Sequence, residues 1–481
     1  MYNMYEMKIK SQHTTLIKYF RCLLLLVLAA SCASQRTGRH YQQRNATAEV
    51  TPVVQPVPTP VVVEEPVTVT EEPVRSARPL VSQVRRAAAG TWQAAKQRAL
   101  DSLCQSPIFE TTQLGLYVYD LTDGEPLYAV NAAWRMRPAS CQKLVTAITA
   151  LQFLKGDYQL KTDFRITGNI VGHTLQGDLR VVGGMDPLVT RDELRQVAAN
   201  LKQQTGIDNI AGQIVYDTSM REDTPLGWGW CWDDDFGPLS ALMVDGKDCF
   251  EQEWLKALAD AGIKAPSPNL SPEEEGNNLQ KGSLNARGKT QGRGRTQVDA
   301  GRSVCIIHHS IDELLWPMMK DSNNIFAECI FYQTAATTGT KGADHKQAAQ
   351  RTEELMKRIG LDPAQYRVAD GSGLSLYNYV SAEMLVAMLG YAWRTDAIRE
   401  HLLPALPIAG VDGTLQKRMV GTEAESNVRA KTGTVMGISS LAGYLTTANG
   451  HVLAFCIINQ GVDSSAMGRT FQDKVCLELC R

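Results

Sequence analysis

Two largely apolar runs joined by a polar turn begin the folded part of the chain, and a helical spacing follows them. Residues 114–120 and 126–130 are typical of a strand and a returning strand, and the Thr-Asp-Gly sequence at 122–124 is typical of a hairpin turn. From residue 144 to residue 151 the apolar positions recur three and four apart, which predicts a buried helix. A run at 86–103 rich in Ala, Gln and Arg predicts an earlier helix. We therefore expect a helix packed on an antiparallel sheet.

The pattern changes after residue 159, where short strands surround a helix. Alternation predicts strands at 162–166, 175–182 and 212–217, and an amphipathic run predicts a helix at 191–204. The Trp-rich stretch 227–235 is interpreted either as a binding wall or as a small core under a loop, and we favour the core. Residues 267–300 are polar and glycine-rich, which predicts a surface loop. Together these elements predict an inserted α+β unit.

Helices and then strands occupy the rest of the chain. The spacing predicts helices at 311–319 and 325–330, and strands at 441–445 and 452–458. The turn 370–375 contains Gly371 and Gly373, both able to adopt a positive φ. The predicted fold class is α+β. Residues 86–158 and 301–481 form the main domain, and 159–300 form the inserted domain.

Composition and charge narrow the classes of function. With 481 residues and 44% hydrophobic content, the chain has room for roughly two to three domains. A formal net charge of -2 and the lack of a long basic stripe exclude a nucleic-acid partner.

The first residues have the layout of a secretory signal, with Lys and Arg before the apolar run 23–30. Residues 1–31 are therefore predicted to be a signal peptide and the protein to be exported to the periplasm. The small residues before Cys32 resemble a lipobox, which predicts a lipid anchor to a membrane at Cys32. Ala29 stands where that pattern prefers Leu, so an ordinary signal-peptidase cut is the alternative. Residues 32–85 are proline-rich and predict an extended tether.

The cysteines do not form a metal-binding pattern. No Cys-x-x-Cys pairs recur at zinc spacing, so we expect neither a metal nor a cofactor. Nine cysteines remain when Cys22 and Cys32 are set aside, so at least one thiol stays free. Export permits disulfides, and Cys231 with Cys249 or Cys104 with Cys480 are possible pairs.

Candidate chemistry begins at Ser140, which precedes Lys143 by three residues. This spacing puts a hydroxyl beside an amine on one helical face, the arrangement of a nucleophile and its base. An unperturbed lysine, with a pKa of about 10.4, is a poor base at neutral pH, so burial and a second cation are required. Because Ser and Lys are common, S-x-x-K alone could arise by chance.

Two further motifs follow in order. Ser322-Asn-Asn324 precedes an apolar helix, and the other S-x-N copies, at 267 and 283, lie in the polar loop. An N-cap is the alternative interpretation of Ser322. Lys431-Thr432-Gly433 occurs once and begins a predicted strand, although a polar strand end would look similar.

The three ordered motifs resemble those of the penicillin-recognising serine acyltransferases. Further matches are Gly183 to Pro187, Tyr216 to Ser219, Ser240 to Leu242 and Asp370 to Ser375. With these, residues 114–458 resemble the D-alanyl-D-alanine carboxypeptidase/endopeptidase family of class C low-molecular-mass penicillin-binding proteins. The resemblance implies a β-lactamase/transpeptidase-like fold, cleavage of peptidoglycan peptides, and acylation by β-lactams.

The resemblance also implies roles for single residues. Ser140 would be the nucleophile, Lys143 its base, and Ser322 a proton relay. Asn324 would hold the acyl-side amide, and Lys431 would supply the second cation. The substrate carboxylate would bind Lys431, Thr432 and Thr434 along the strand that contains Gly433, while the amides of Ser140 and Thr434 would form the oxyanion hole.

Side-chain recognition departs from the family pattern. Asp217 matches the acidic position that meets a diaminopimelate amine in relatives, but Leu376 replaces a frequent Arg and Met436 a polar residue. The alternative functions are a non-catalytic peptidoglycan binder or sensor, and a β-lactamase. A β-lactamase needs a deacylating Glu, and the candidate E-x-x-x-N motif, Glu273 with Asn277, lies in the polar loop.

Overall fold

The computed structural model describes residues 84–231, 234, 237–266, 301–336 and 342–481. The predicted signal peptide, Cys32, nearly all of the tether, Trp232 and the loop 267–300 lie outside the described residues. Within the described part of the chain, no helix is both long and apolar enough to cross a membrane.

The first described elements are a helix, a hairpin and a second helix. They are α1 (Trp92–Cys104), β1 (Gln113–Asp120), β2 (Glu125–Val130) and α2 (Gln142–Leu154). The hairpin is confirmed, whereas α1 begins six residues later than 86. Gly90 has a φ of 89°, and the Thr91 side chain accepts a hydrogen bond from the Ala94 amide, so a capped start fixes the first turn at this point.

In the segment predicted as the inserted domain, the described residues form two small sheets and two helices. Its elements are β3 (Gln159–Ile166), β4 (Asn169–Val171), β5 (Thr174–Gln176), β6 (Leu179–Val182), α3 (Arg191–Thr205), β7 (Asn209–Ile210), β8 (Ile214–Asp217), α4 (Phe250–Asp260) and β9 (Arg302–Ser310). The strand orders are β8-β6-β3-β9 and β4-β5-β7. Phe164 and Trp254 meet in its core with ring centroids 4.7 Å apart.

Two boundaries inside this domain differ from the prediction. The strand predicted at 175–182 is two strands in separate sheets, divided at Gly177. A Cβ there would lie 2.0 Å from the Thr167 carbonyl oxygen, so two backbone segments pass closely at this glycine. Strand β9 pairs with β3, which places 302–310 in the inserted sheet rather than in the main domain.

The last part of the chain returns to the main domain. Its elements are α5 (Ile311–Lys320), α6 (Asn324–Ala336), α7 (His345–Arg358), α8 (Ala382–Arg394), α9 (Asp396–Ala405), β10 (Arg429–Val435), β11 (Ile438–Thr446), β12 (Val452–Gln460) and α10 (Ser465–Cys480). The five-stranded sheet has the order β10-β11-β12-β1-β2 and is antiparallel throughout. The predicted α+β class is confirmed, and β10 lies at an edge of the sheet.

Both faces of this sheet are covered, because side chains alternate between two cores. Leu116 and Val118 of β1 belong to a core shared with Phe471 of α10. Tyr117 and Tyr119 point to the opposite core, which contains α2, α5, α6 and α8. Helix α2 therefore lies in the middle of the larger core, as its apolar spacing predicts.

The described cysteines are all free thiols. Neither Cys231 with Cys249 nor Cys104 with Cys480 forms a disulfide. Cys104 instead accepts a hydrogen bond from Tyr128 at 3.6 Å.

Candidate active site

Ser140 lies in a short 3-10 turn, Ala139–Cys141, which leads directly into α2. Ala139 has a φ of 47°, in the left-handed region that residues with a side chain rarely adopt. Gly373 packs against this residue, since a Cβ at 373 would lie 1.9 Å from the Ala139 carbonyl oxygen. Neighbouring backbone thus fixes the nucleophile segment in a strained conformation.

Lys143 is fully buried one turn beyond Ser140. Its Nζ lies 3.0 Å from Oγ of Ser140, and it donates to Oδ1 of Asn324 at 2.6 Å and to the Ser372 carbonyl at 2.9 Å. A neutral amine has two hydrogens and one lone pair. Because the Ser372 carbonyl and the Asn324 oxygen are acceptors and use both hydrogens, the lone pair is directed at Ser140.

Electrostatics favour that neutral form. Burial is the largest cause that lowers the pKa of Lys143 well below its ordinary value, and the nearby Lys431 charge lowers it further. Asp370 and Glu328 act in the opposite direction. The cation that the sequence analysis required is therefore Lys431.

Lys431 connects the second and third motifs. Its Nζ donates to Oγ of Ser322 at 2.9 Å and to the Thr432 carbonyl at 2.8 Å, and burial lowers its pKa to about 8. Ser322 is not the N-cap of α6. The Asn323 side chain accepts from the Phe326 amide at 3.2 Å, which leaves the Ser322 hydroxyl for Lys431, with a φ of 60° at Ser322.

Strand β10 lies directly against the nucleophile segment. At Gly433 a Cβ would be 2.2 Å from Oγ of Ser440 and 2.7 Å from the Pro138 carbonyl oxygen. Cys141 donates its thiol hydrogen to the Lys431 carbonyl at 3.2 Å, and Ser440 donates to the Pro138 carbonyl at 2.6 Å. The motif glycine therefore allows the close approach of strand and nucleophile.

The remaining predicted site residues are more exposed. Thr432 is half-buried and donates to Oγ1 of Thr414 at 2.8 Å, while Thr434 is exposed on the outer strand. Met436 is 100% exposed and Leu376 is 40% exposed. Neither of these apolar residues therefore packs in the hydrophobic core.

Asp217 lies at the end of β8 in the inserted domain. It accepts from Nη2 of Arg180 at 2.6 Å and from the Ser219 amide at 3.0 Å. Burial opposes its charge, but the hydrogen bonds from Ser219 and Arg180 outweigh burial and lower the pKa of Asp217 to about 2. Its described contacts do not join it to the Ser140 cluster.

The Trp-rich stretch divides between core and surface. Trp230 is buried and donates to Oδ2 of Asp370 at 2.9 Å, which agrees with the core interpretation. Trp228 is half-exposed and stacks on His345, with ring centroids 5.1 Å apart.

Two groups of the site, the Ser372 carbonyl and the Glu328 carboxyl, were not predicted from the sequence. The Ser372 carbonyl bonds Lys143, and Oε1 of Glu328 accepts from the Ser372 amide at 2.8 Å. Glu328 follows Asn324 by four residues, so its position on the same helical face was the available signal. Of the two glycines able to adopt a positive φ, Gly373 does so at 84° and Gly371 does not. A Cβ at Gly371 would lie 2.6 Å from the Ala327 carbonyl oxygen, so close packing requires this glycine.

Among the described residues, one group has ligand atoms close enough for a metal ion. These are Asp120, Asp123 and His451, with atoms within 4.8 Å of one another. The His451 ring bonds Asp120 at 2.8 Å, so a hydrogen bond accounts for the grouping.

Comparisons of sequence and of structure find similar proteins of one kind. The model of the D-Ala-D-Ala carboxypeptidase 3 (S13) family matches residues 96–300 and 277–477. D-alanyl-D-alanine carboxypeptidase DacB of Haemophilus influenzae is 28% identical over 410 residues, covering 72% of this chain and 85% of that protein. D-alanyl-D-alanine carboxypeptidase of Actinomadura sp. strain R39 is 28% identical over 454 residues, covering 79% and 83%. The structure of penicillin binding protein 4 (dacB) from Haemophilus influenzae has a TM-score of 0.66 at 23% identity, covers 79% of this chain and 98% of that chain, and thus shares the fold.

Proposed function

The chain belongs to the D-Ala-D-Ala carboxypeptidase 3 (S13) family of serine hydrolases, and from this premise we propose that it cleaves D-alanyl-D-alanine ends and D-alanyl cross-links of peptidoglycan through an acyl-enzyme on Ser140. The observation that carries the proposal is the contact of 3.0 Å between Nζ of Lys143 and Oγ of Ser140. Both other contacts of that Nζ are to acceptors, so the amine is arranged to take a proton.

Acylation begins when Lys143 takes the proton from Ser140 as Oγ attacks the carbonyl carbon of the penultimate D-alanine. The backbone amides of Ser140 and Thr434 stabilise the oxyanion, each contributing roughly 3 kcal/mol. The C–N bond then breaks, and the proton that Lys143 accepted passes through Ser322 to the leaving amine, so that both side chains regain their starting state. In the second half, Lys143 takes a proton from the attacking water and returns it to Oγ as the ester breaks, which restores Ser140.

The substrate binds along β10, which is an edge strand and can pair with an extended peptide. Lys431, Thr432 and Thr434 take the terminal carboxylate, while Asn324 holds the acyl-side amide. Because Gly433 brings this strand against the nucleophile segment, a peptide paired with β10 presents its carbonyl to Ser140. A side-chain amine of the stem would share the Asp217 carboxylate with Arg180.

The test is digestion of purified muropeptides followed by mass analysis of the products. We expect pentapeptides to lose their terminal D-alanine and cross-linked dimers to give monomers, with both reactions blocked by prior treatment with penicillin. Binding of these peptides without release of any product would favour the sensor alternative. Hydrolysis of penicillin faster than of peptides would favour a β-lactamase.

We also propose that the protein is exported and anchored by lipid on Cys32. The signal layout and the proline-rich tether support this placement. In fractionated cells, Cys32→Ser should move the protein from the membrane to the soluble periplasmic fraction, with Cys104→Ser as the control. A variant that stays with the membrane would contradict the anchor.

A further inference from the structure

A carboxyl group that has no direct part in acylation lies behind the general base. Glu328 is 1% exposed and follows Asn324 by four residues on α6, so both side chains lie on one helical face. Its Oε1 accepts from the amides of Gly371 at 2.9 Å and Ser372 at 2.8 Å. Asn324 contacts Lys143 directly, and Glu328 reaches Lys143 through the backbone of one residue, Ser372, whose carbonyl accepts from Lys143.

Ser372 belongs to a turn that two carboxyl groups fix. Asp370 accepts from Oγ of Ser372 at 2.8 Å, from the Gly373 amide at 2.8 Å and from Nδ2 of Asn378 at 2.6 Å. These bonds organise the turn internally. Glu328 connects the same turn to α6, and thus to the helix that carries Asn324.

The two carboxyl groups differ in their environment. Asp370 has several donors, as expected for a carboxylate. Oε2 of Glu328 is buried and has no hydrogen-bond partner among the described residues, and burial followed by the Asp370 charge raises the pKa of Glu328 well above its ordinary value. Burial therefore favours the protonated carboxyl of Glu328, whose Oε1 serves as an acceptor, a role that an amide oxygen can also fill.

We propose that Glu328 is a positioning residue for the general base: by holding the backbone amides of Gly371 and Ser372, it keeps the Ser372 carbonyl bonded to Lys143 and the amine directed at Ser140. This inference rests on the proposed acyl-enzyme mechanism. Without the acceptor, the Lys143 amine would lose one of the two bonds that orient its lone pair.

The test compares Glu328→Gln with Glu328→Leu by the rate at which penicillin acylates Ser140, measured from pH 5 to pH 10. The groups that act on Lys143 are Lys431, Asp370 and Cys141, besides Glu328 itself, and both variants leave the first three in place. Glu328→Gln keeps the acceptor and should acylate within about threefold of wild type, since its geometry is retained.

Glu328→Leu should acylate at least about tenfold more slowly, because a displaced base loses its near-attack geometry. The rise of the acylation rate with pH, which we call the acidic limb of the pH–rate profile, should also move to lower pH. The Ser372 carbonyl bonds the ammonium form of Lys143 more strongly than the neutral form, so losing that acceptor lowers the pKa of Lys143. A purely structural role would lower the amount of folded protein and leave the limb in place. Glu383→Leu is the matched control, since Glu383 is a buried carboxyl at 7% exposure on α8.

If Glu328→Leu acylates at the wild-type rate and the acidic limb of its pH–rate profile does not move, the inference is overturned. An equal loss in Glu328→Gln and Glu328→Leu when both unfold at the wild-type temperature would also overturn it. If the leucine variant does not fold, Glu328→Asp replaces it, because a carboxyl withdrawn by one methylene should still slow acylation. Failure of wild-type protein to acylate at residue 140 would instead reject the proposed function.

Discussion

Ser140→Ala should abolish covalent capture of penicillin, whereas wild-type protein should gain one drug mass on the peptide that contains residue 140. Ser140 Oγ is the hydroxyl that Nζ of Lys143 approaches at 3.0 Å, and a side chain with only a methyl group cannot form the ester. Because Ser140 is small and half-buried, its replacement should leave the fold and the binding surface of β10 unchanged. We therefore expect a loss of acylation rate of at least about a thousandfold, the full contribution of the nucleophile.

The measurement is intact mass followed by peptide mapping after incubation with penicillin. Ser106→Ala is the matched control, because Ser106 is half-buried like Ser140 and its side chain makes no cap bond. That variant should be labelled at the wild-type rate. Drug mass on Ser140→Ala protein, or on the peptide that contains Ser322, would contradict the assignment of the nucleophile.

The positions of the chemically active residues could be predicted because local spacing determines them. Ser140 and Lys143 share a helical face wherever S-x-x-K is helical, and Lys431 follows from the only K-T-G in the chain. Apolar runs on either side of a turn likewise predict β1 and β2, because both faces of the sheet bury apolar residues, and the helical period predicts α2.

What could not be predicted depends on contacts between distant parts of the chain. Whether Ser322 or Asn323 caps α6 is decided by Lys431, which lies 109 residues further along and bonds Ser322. Gly371 is needed for close packing on α6 rather than for a positive φ. The bond from Lys143 to the Ser372 carbonyl spans 229 residues, and a backbone acceptor has no residue signature.

Lys143→Ala should lower the release of D-alanine by about a thousandfold, close to 4 kcal/mol of transition-state stabilisation, because a positioned general base contributes roughly 100 to 10,000 fold. Peptide binding should change far less, since the proton transfer occurs only in the transition state. The two quantities are separated by comparing kcat/KM for D-alanine release with the Kd of the same peptide measured by calorimetry. Lys357→Ala, at an exposed lysine of α7, is the control and should match wild type in both.

Lys143→Arg separates the base from a mere hydrogen-bond donor. A guanidinium can donate to Asn324 and to the Ser372 carbonyl, but it stays protonated at all working pH values and has no acceptor. If Lys143 removes the proton from Ser140, the arginine variant should be as slow as Lys143→Ala at every pH. Recovery of turnover by Lys143→Arg to within tenfold of wild type would show that donation and charge suffice. In that case the lowered pKa of Lys143 would be a consequence of burial without a part in the reaction.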